Sequence, residues 1–230
     1  MSLKVIFEYI RDMVLDFFYP PQCPICERYI ENRSDILCNE CAENILHVDC
    51  SYNPRLPIKE IWRLTKYKGG TQNIIIDIKF NKKLGELSVI NKILRRVLNS
   101  NAKLKEMLSK IDIAVAVPLH VNRENDRGFN QVELFFGKWL NQQNIPMKRL
   151  LLRVKDTDHL YDKKINERQK EVNGAFEIIE GAETEIKGKR ILILDDIFTT
   201  GTTMGECAKV LKAGGAAEIY AIALASDYFD

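Results

Sequence analysis

Two groups of residues in this 230-residue chain have the types and spacing that chemistry requires. The first is Asp195-Asp196-Ile-Phe-Thr199-Thr200-Gly201-Thr202-Thr203, which follows the apolar run Ile191 to Leu194. Four apolar residues in a row predict a strand buried on both faces. Two carboxylates at its end suit ribose hydroxyls or Mg²⁺, because both want hard oxygen acceptors. The small-residue turn then opens into a predicted helix from Met204 to Lys212, stopped by Gly214-Gly215. A helix start presents backbone N–H groups and the positive end of its dipole, so this turn is a predicted anion seat. Four threonine hydroxyls add donors, and Gly201 lets the backbone approach a phosphate closely. The second group is Cys23-Pro-Ile-Cys26, eleven residues, then Cys38-Asn-Glu-Cys41. Two Cys-x₂-Cys knuckles offer four thiolates, which suits a closed tetrahedral Zn²⁺ site. An iron–sulfur cluster and free thiols are the alternatives. Four protein ligands leave no place for water, so such a zinc would be structural.

The acidic doublet with its Thr/Gly turn resembles the phosphoribosyl-pyrophosphate signature of type I phosphoribosyltransferases. That resemblance implies that Asp195 and Asp196 hold the ribose and that Thr199, Thr200, Gly201, Thr202 and Thr203 hold the 5-phosphate. Other nucleotide-binding motifs are missing: no Gly-x₄-Gly-Lys-Ser/Thr loop occurs, nor a dinucleotide fingerprint, a serine elbow or His-Glu-x-x-His.

These groups need elements to position them. The length suits one good-sized domain and a small module, and 46% hydrophobic residues supply ample core. A formal net charge of +2 carries no global signal for a polyanionic partner. Basic residues gather locally at Lys79, Lys82, Lys83, Lys92, Arg95 and Arg96, and again over 148–170. No apolar run is long enough to span a membrane, and the N-terminus lacks a cleavage site, so a cytoplasmic location is expected. In that compartment six cysteines argue for metal or free thiols over disulfides.

Residues 1–19 place Leu3, Ile6, Ile10, Met13 and Phe17 on one helical stripe, with Phe7 and Val14 beside it. The stripe packs on the protein or a partner, with peripheral membrane contact as a further option. Pro20-Pro21 ends it. A zinc-finger-like module over 20–50 follows, with Cys50 lacking a second knuckle. Ser51 to Pro57 reads as a linker, Ile61 to Tyr67 as a strand, and Asn73–Phe80 and Gly85–Leu98 as helices; 99–110 is polar and loosely patterned. Residues 58–110 would be a hood and 111–230 the core of a phosphoribosyltransferase-like domain over 58–230.

Ile111 to Val117 is a second buried-strand pattern, ending at Pro118-Leu119-His120, and a strand end followed by a loop is where α/β sheets bind ligands. In phosphoribosyltransferases the comparable loop holds the diphosphate, which implies that role for Pro118, Leu119 and His120, aided by Arg123 or Arg127. Gly128 to Gln131 leads into a helix reaching about Asn141. Leu150–Val154 and Ala175–Ile179 are strand-like. The long polar stretch between them resembles the flexible catalytic loop of this fold, which closes over the diphosphate. Departing pyrophosphate builds negative charge, and Arg153, Lys163, Lys164 and Arg168 are the candidates to stabilise it. Glu218 to Leu224 supplies a last buried strand.

Taken together, Pro20-Pro-x-Cys23-x₂-Cys26, the second knuckle, Tyr67-Lys-Gly, Ile78-Lys79-Phe80, Val117-Pro118-Leu119-His120, Arg127-Gly128-Phe129-Asn130-Gln131 and Gly174-Ala175-Phe176 resemble ComF-type proteins over nearly the whole chain. The resemblance implies a type I phosphoribosyltransferase-like α/β fold: a parallel sheet flanked by helices, with a small N-terminal zinc module. It implies binding of phosphoribosyl pyrophosphate with Mg²⁺. It also implies a link to DNA uptake, with single-stranded DNA and the competence helicase machinery as partners. The chain departs from the family pattern in the flexible loop. Thr157 and Arg168 fit, but Leu160 stands for a Gln, Lys163 for a Leu and Glu171 for an Asn. Three functions follow: a phosphoribosyltransferase, a non-catalytic DNA-handling factor, and a regulator that senses phosphoribosyl pyrophosphate. In the second, Trp62, Tyr52 and Tyr67 are candidate base-stacking residues, with core packing as their alternative role.

Overall fold

The computed structural model describes residues 7, 11, 13–15, 18–30, 37–156 and 172–227, apart from the side chain of Ala42. Its centre is a five-stranded sheet in the order β1-β2-β7-β6-β3. The strands are β1 (Leu46–Ser51), β2 (Glu60–Lys66), β3 (Ile113–Ala116), β6 (Arg190–Phe198) and β7 (Glu218–Ser226). β2, β7, β6 and β3 run parallel, and β1 pairs antiparallel at one edge. A separate antiparallel pair joins β4 (Leu151–Arg153) to β5 (Phe176–Ile178).

The parallel strands are apolar on both faces because both faces are covered. Alternation along each strand divides the residues between two cores. Leu192 and Leu194 of β6 and Tyr220, Ile222 and Leu224 of β7 belong to one core. Ile191 and Ile193, with Ile219, Ala221 and Ala223, belong to the other. On the first face lie α2 (Gly70–Asn81), α3 (Leu87–Ser100), α4 (Ala102–Leu108) and α6 (Gln131–Gln142). α3 shows why: Ile90, Ile93, Leu94 and Val97 recur at helical spacing and are all buried. On the second face lie α7 (Glu183–Ile186), α8 (Thr202–Ala213) and the β4–β5 pair.

The N-terminal cysteine module is joined to the first core, with Cys23, Ile30 and Leu37 buried in it. α1 (Asn39–Ile45) runs from the second knuckle directly into β1. At Gly70 the contact with the module is so close that an added Cβ would lie 2.4 Å from Ile25 Cγ2. Of the N-terminal stripe, only part is described. Phe7, Met13, Val14 and Phe18 are exposed, and Leu3, Ile6, Ile10 and Phe17 lie outside the described residues. Among the described residues no helix is long and apolar enough to cross a membrane.

Three readings of the sequence are corrected here. The strand at 60–66, counted with the hood, lies inside the main sheet beside β7, because strand order depends on partners far away in sequence. The loosely patterned 99–110 contains α4, started by Asn101, whose Oδ1 accepts from the Leu104 N–H at 2.9 Å. A helix absent from the sequence reading, α5 (Val121–Arg127), follows His120 and stops at Gly128 with φ 86°.

Candidate active site and metal centre

The C-terminal ends of the parallel strands converge on one cavity. Tyr67 follows β2, Val117 and Pro118 follow β3, Thr199 follows β6 and Asp227 follows β7, and all five line it. This is the position where open α/β sheets take ligands. The cavity has a volume of about 740 Å³. Asp195, Asp196, Thr200, Thr202, Thr203, Leu119, Arg123 and Arg153 also face it. From α2 and the residue after it come Lys79, Phe80 and Lys82, and from α5 and α6 come Asp126, Arg127 and Gln131.

The acidic doublet lies within β6 rather than beyond it, since the strand continues to Phe198. Asp195 Oδ1 accepts from the Asp196 N–H at 2.8 Å. Burial, and then the neighbouring Asp196 carboxylate, push the Asp195 pKa well above its ordinary value. Asp196 Oδ2 accepts from Lys79 Nζ at 2.7 Å and from Gln131 Nε2 at 2.6 Å. Gln131 Oε1 in turn accepts from Arg127, whose guanidinium lies 5.5 Å from the centre of the Phe80 ring.

The turn after β6 meets the cavity through Thr199, Thr200, Thr202 and Thr203. Thr200 Oγ1 and Thr202 Oγ1 are 2.7 Å apart, and Thr200 Oγ1 accepts weakly from the Thr202 N–H at 3.4 Å. Gly201 occupies the N-cap of α8 in the left-handed region, φ 75°, with no side-chain cap among the described residues. Glycine is required here by the protein's own packing. A Cβ there would lie 2.9 Å from the Phe198 ring, so glycine fits because of φ and protein packing. Gly201 itself is not on the cavity wall.

His120 is also off the wall. Its Nδ1 accepts from the Asn122 N–H at 3.4 Å and lies 3.2 Å from Asp156 Oδ2, so it caps α5. Asn130 shapes the same loop from behind, donating Nδ2 to the Val117 carbonyl at 3.0 Å. Arg153 pairs with His120 through a backbone bridge and stacks 5.6 Å from the Phe176 ring. Its pKa is lowered by burial and then by Arg123 nearby, so two guanidiniums share this side of the cavity. Arg168, Lys163, Lys164, Thr157, Leu160 and Glu171 lie outside the described residues.

Sequence reading missed Lys79 and Gln131 as site residues. Lys79, one of the basic residues gathered over 79–96, is buried against Asp196. The available signal was a lysine between Ile78 and Phe80 in an apolar helix. Trp62 is a core residue, with Nε1 donating to Glu60 Oε2 at 2.9 Å. Tyr52 is exposed and Tyr67 lines the cavity.

The four knuckle cysteines come together. The Sγ atoms of Cys23, Cys26, Cys38 and Cys41 all lie within 4.8 Å of one another, with Cys26 and Cys38 at 3.6 Å. A tetrahedral zinc with Zn–S near 2.3 Å needs sulfurs about 3.8 Å apart, so the set fits such an ion with small adjustment. Burial opposes ionisation of Cys23, but backbone N–H groups of Cys38, Ile25 and Cys26 bring its thiol down to about 7. Cys41 is raised by burial and by the neighbouring sulfurs, as expected of thiols crowded together without a cation. Cys50 is exposed on β1 and Cys207 is buried in α8, and neither joins the cluster.

The threonine turn and the acidic doublet stand together at the C-terminal end of β6, on one cavity. The phosphoribosyl transferase domain family matches residues 148–227. The DNA utilization protein YhgH of Escherichia coli is 28% identical over 207 residues, 86% of each chain. Competence protein F of Haemophilus influenzae is 30% identical over 128 residues, 54% of this chain and 55% of that protein. Among solved structures, a hypoxanthine phosphoribosyltransferase from Staphylococcus aureus has a TM-score of 0.37 at 17% identity, over 60% of this chain and 62% of that one. In joining a Cys₄ cluster to a region that matches the phosphoribosyl transferase domain, the chain resembles ComF-type proteins.

Proposed function

We propose that the cavity binds phosphoribosyl pyrophosphate and that the protein transfers its phosphoribosyl group to a nitrogen nucleophile. One observation carries this reading: Thr199, Thr200, Thr202, Thr203, Asp195, Asp196, Pro118, Leu119, Arg123 and Arg153 line the same cavity. The threonine turn and the start of α8 suit the 5-phosphate. The doublet accepts from ribose hydroxyls. The 117–119 loop, with Arg123 and Arg153, takes the diphosphate, on which Mg²⁺ supplies charge neutralisation. In the transfer the bond from the ribose anomeric carbon to the pyrophosphate oxygen breaks. Pyrophosphate leaves with the electron pair, a carbon–nitrogen bond forms, and the nitrogen's proton passes to solvent. Arg153 and Arg123 stabilise the charge that builds on the leaving group, with Arg168 proposed to assist.

The four cysteines would hold a structural zinc ion. The relatives' names favour a role in DNA use or competence, and with it go, as part of the proposal, a cytoplasmic location and single-stranded DNA and a competence helicase as partners. They support a second reading: a DNA-handling factor or regulator for which phosphoribosyl pyrophosphate is a signal. Its basic surface would be Lys82, Lys83, Lys92 and Arg95, which are exposed, without Lys79. Pyrophosphate release measured across a panel of bases and amines separates the two. Release above the protein-free rate with any acceptor supports transfer. Binding of phosphoribosyl pyrophosphate without release from any acceptor supports the signal.

A further inference from the structure

Asp196 already has a cation. Lys79 reaches it from α2, both residues line the cavity, and the two side chains are only 6% and 9% exposed. A lysine is rarely buried this far unless it is paired, and a partner removed from such a pair leaves a stranded charge. The pair is held from two sides. Gln131 donates to the same carboxylate oxygen at 2.6 Å and is itself oriented by Arg127. Adjacent ionised carboxylates repel and ordinarily recruit a divalent ion through their oxygens. Here the chain's own ammonium sits at 2.7 Å, against one carboxylate of the doublet.

We propose that Lys79 is the resident counter-ion of the acidic doublet, occupying beside Asp196 the place a divalent cation would take, so that sugar hydroxyls are received there without metal. Any metal requirement then belongs to the diphosphate alone. Asp195 and the second oxygen of Asp196 accept from the sugar, while Lys79 acts through Asp196 as a positioning residue. The sugar part rests on the cavity being a ribose-phosphate site. The counter-ion part does not.

Two measurements on the full chain test it. The first counts Mn²⁺ by electron paramagnetic resonance with no sugar phosphate present, since Mn²⁺ takes the same oxygen ligands as Mg²⁺. Wild type should show no Mn²⁺ site that Asp195→Asn removes. Lys79→Met should gain one site, which is lost again in Lys79→Met with Asp196→Asn. The second measures ribose 5-phosphate binding by calorimetry. Wild type should bind equally with and without Mg²⁺. Lys79→Met should weaken by about ten-fold or more without Mg²⁺, the scale of a lost charge-assisted contact, and regain affinity when Mg²⁺ is added. Lys79→Arg should behave as wild type and serves if the methionine variant does not fold. A doublet-dependent Mn²⁺ site in wild type, or no gained site in a folded Lys79→Met protein, overturns the proposal. If the Mn²⁺ counts follow expectation while no sugar phosphate binds, the ribose reading fails and the counter-ion stands.

Discussion

Replacing Asp195 with asparagine should make the protein more stable and deprive it of its ligand. The carboxyl is packed beside Asp196 at the cavity wall, and burial with that neighbour raises its pKa from 3.8 to about 8. A carboxyl with a raised folded-state pKa takes up protons on folding. Its ionisation therefore costs stability as pH rises above the ordinary value near 4, and the cost is complete near pH 8. At about 1.4 kcal/mol per unit the full shift would be roughly 5–6 kcal/mol. Asp195 is half-buried and the site is reached by water, so screening reduces this to ~1–2 kcal/mol. For a chain of this length that is about 3–6 °C in Tm. Thermal unfolding of both proteins at pH 8 and pH 5 reads it. Asp195→Asn should melt higher at pH 8, and the gap should narrow at pH 5. Phosphoribosyl pyrophosphate with Mg²⁺ should raise the wild-type Tm and leave the variant's unchanged. A variant that melts lower at pH 8, or a gap that is the same at both pH values, would refute the reasoning.

Other perturbations separate the parts of the structure. Cys38→Ser should abolish stoichiometric zinc, measured by elemental analysis, and should lower Tm, because the cysteine module shares a core with α2 and α3. Gly70→Ala should cost about 1–3 kcal/mol by chemical denaturation, since its Cβ meets Ile25, and Ile25→Ala should recover much of that loss in the double variant. Asp112 is held down to about 2 by the Arg190 side chain and backbone, so its contribution is present above about pH 4 and disappears as pH falls through 2. Asp112→Asn should accordingly lower stability at pH 6, by an amount that shrinks as pH is brought down toward 2. If exposed Lys82, Lys83, Lys92 and Arg95 contact single-stranded DNA phosphates, retention on a gel should fall steeply between low and high salt.

Legibility in the sequence followed the range of the interaction. The run Ile191 to Leu194 announces its strand because a strand covered on both faces must be apolar throughout. The cysteine knuckles announce their cluster because the spacing is local. The antiparallel pair β4–β5 was visible as two apolar runs, but its pairing was not. The place of β2 in the sheet is set by β7, well over a hundred residues on, and no local pattern encodes that order. α4 is short, with only Leu104, Met107 and Leu108 buried, too few to show a period. Lys79 and Asp196 are far apart in sequence and meet at one cavity, so their ion pair has no local pattern to announce it. His120 caps a helix and Gly201 packs on Phe198, contacts that the motifs themselves do not announce.

The central claim is that the turn from Thr199 to Thr203 and the doublet Asp195–Asp196 receive a ribose phosphate. Calorimetric titration of the zinc-loaded protein with phosphoribosyl pyrophosphate and Mg²⁺, beside an Asp195→Asn, Asp196→Asn double variant, tests it most directly. The account expects saturable binding with one ligand per chain in wild type and its loss in a variant that keeps the same circular dichroism spectrum. Absence of binding to a folded wild-type protein, or undiminished binding to the double variant, would contradict it.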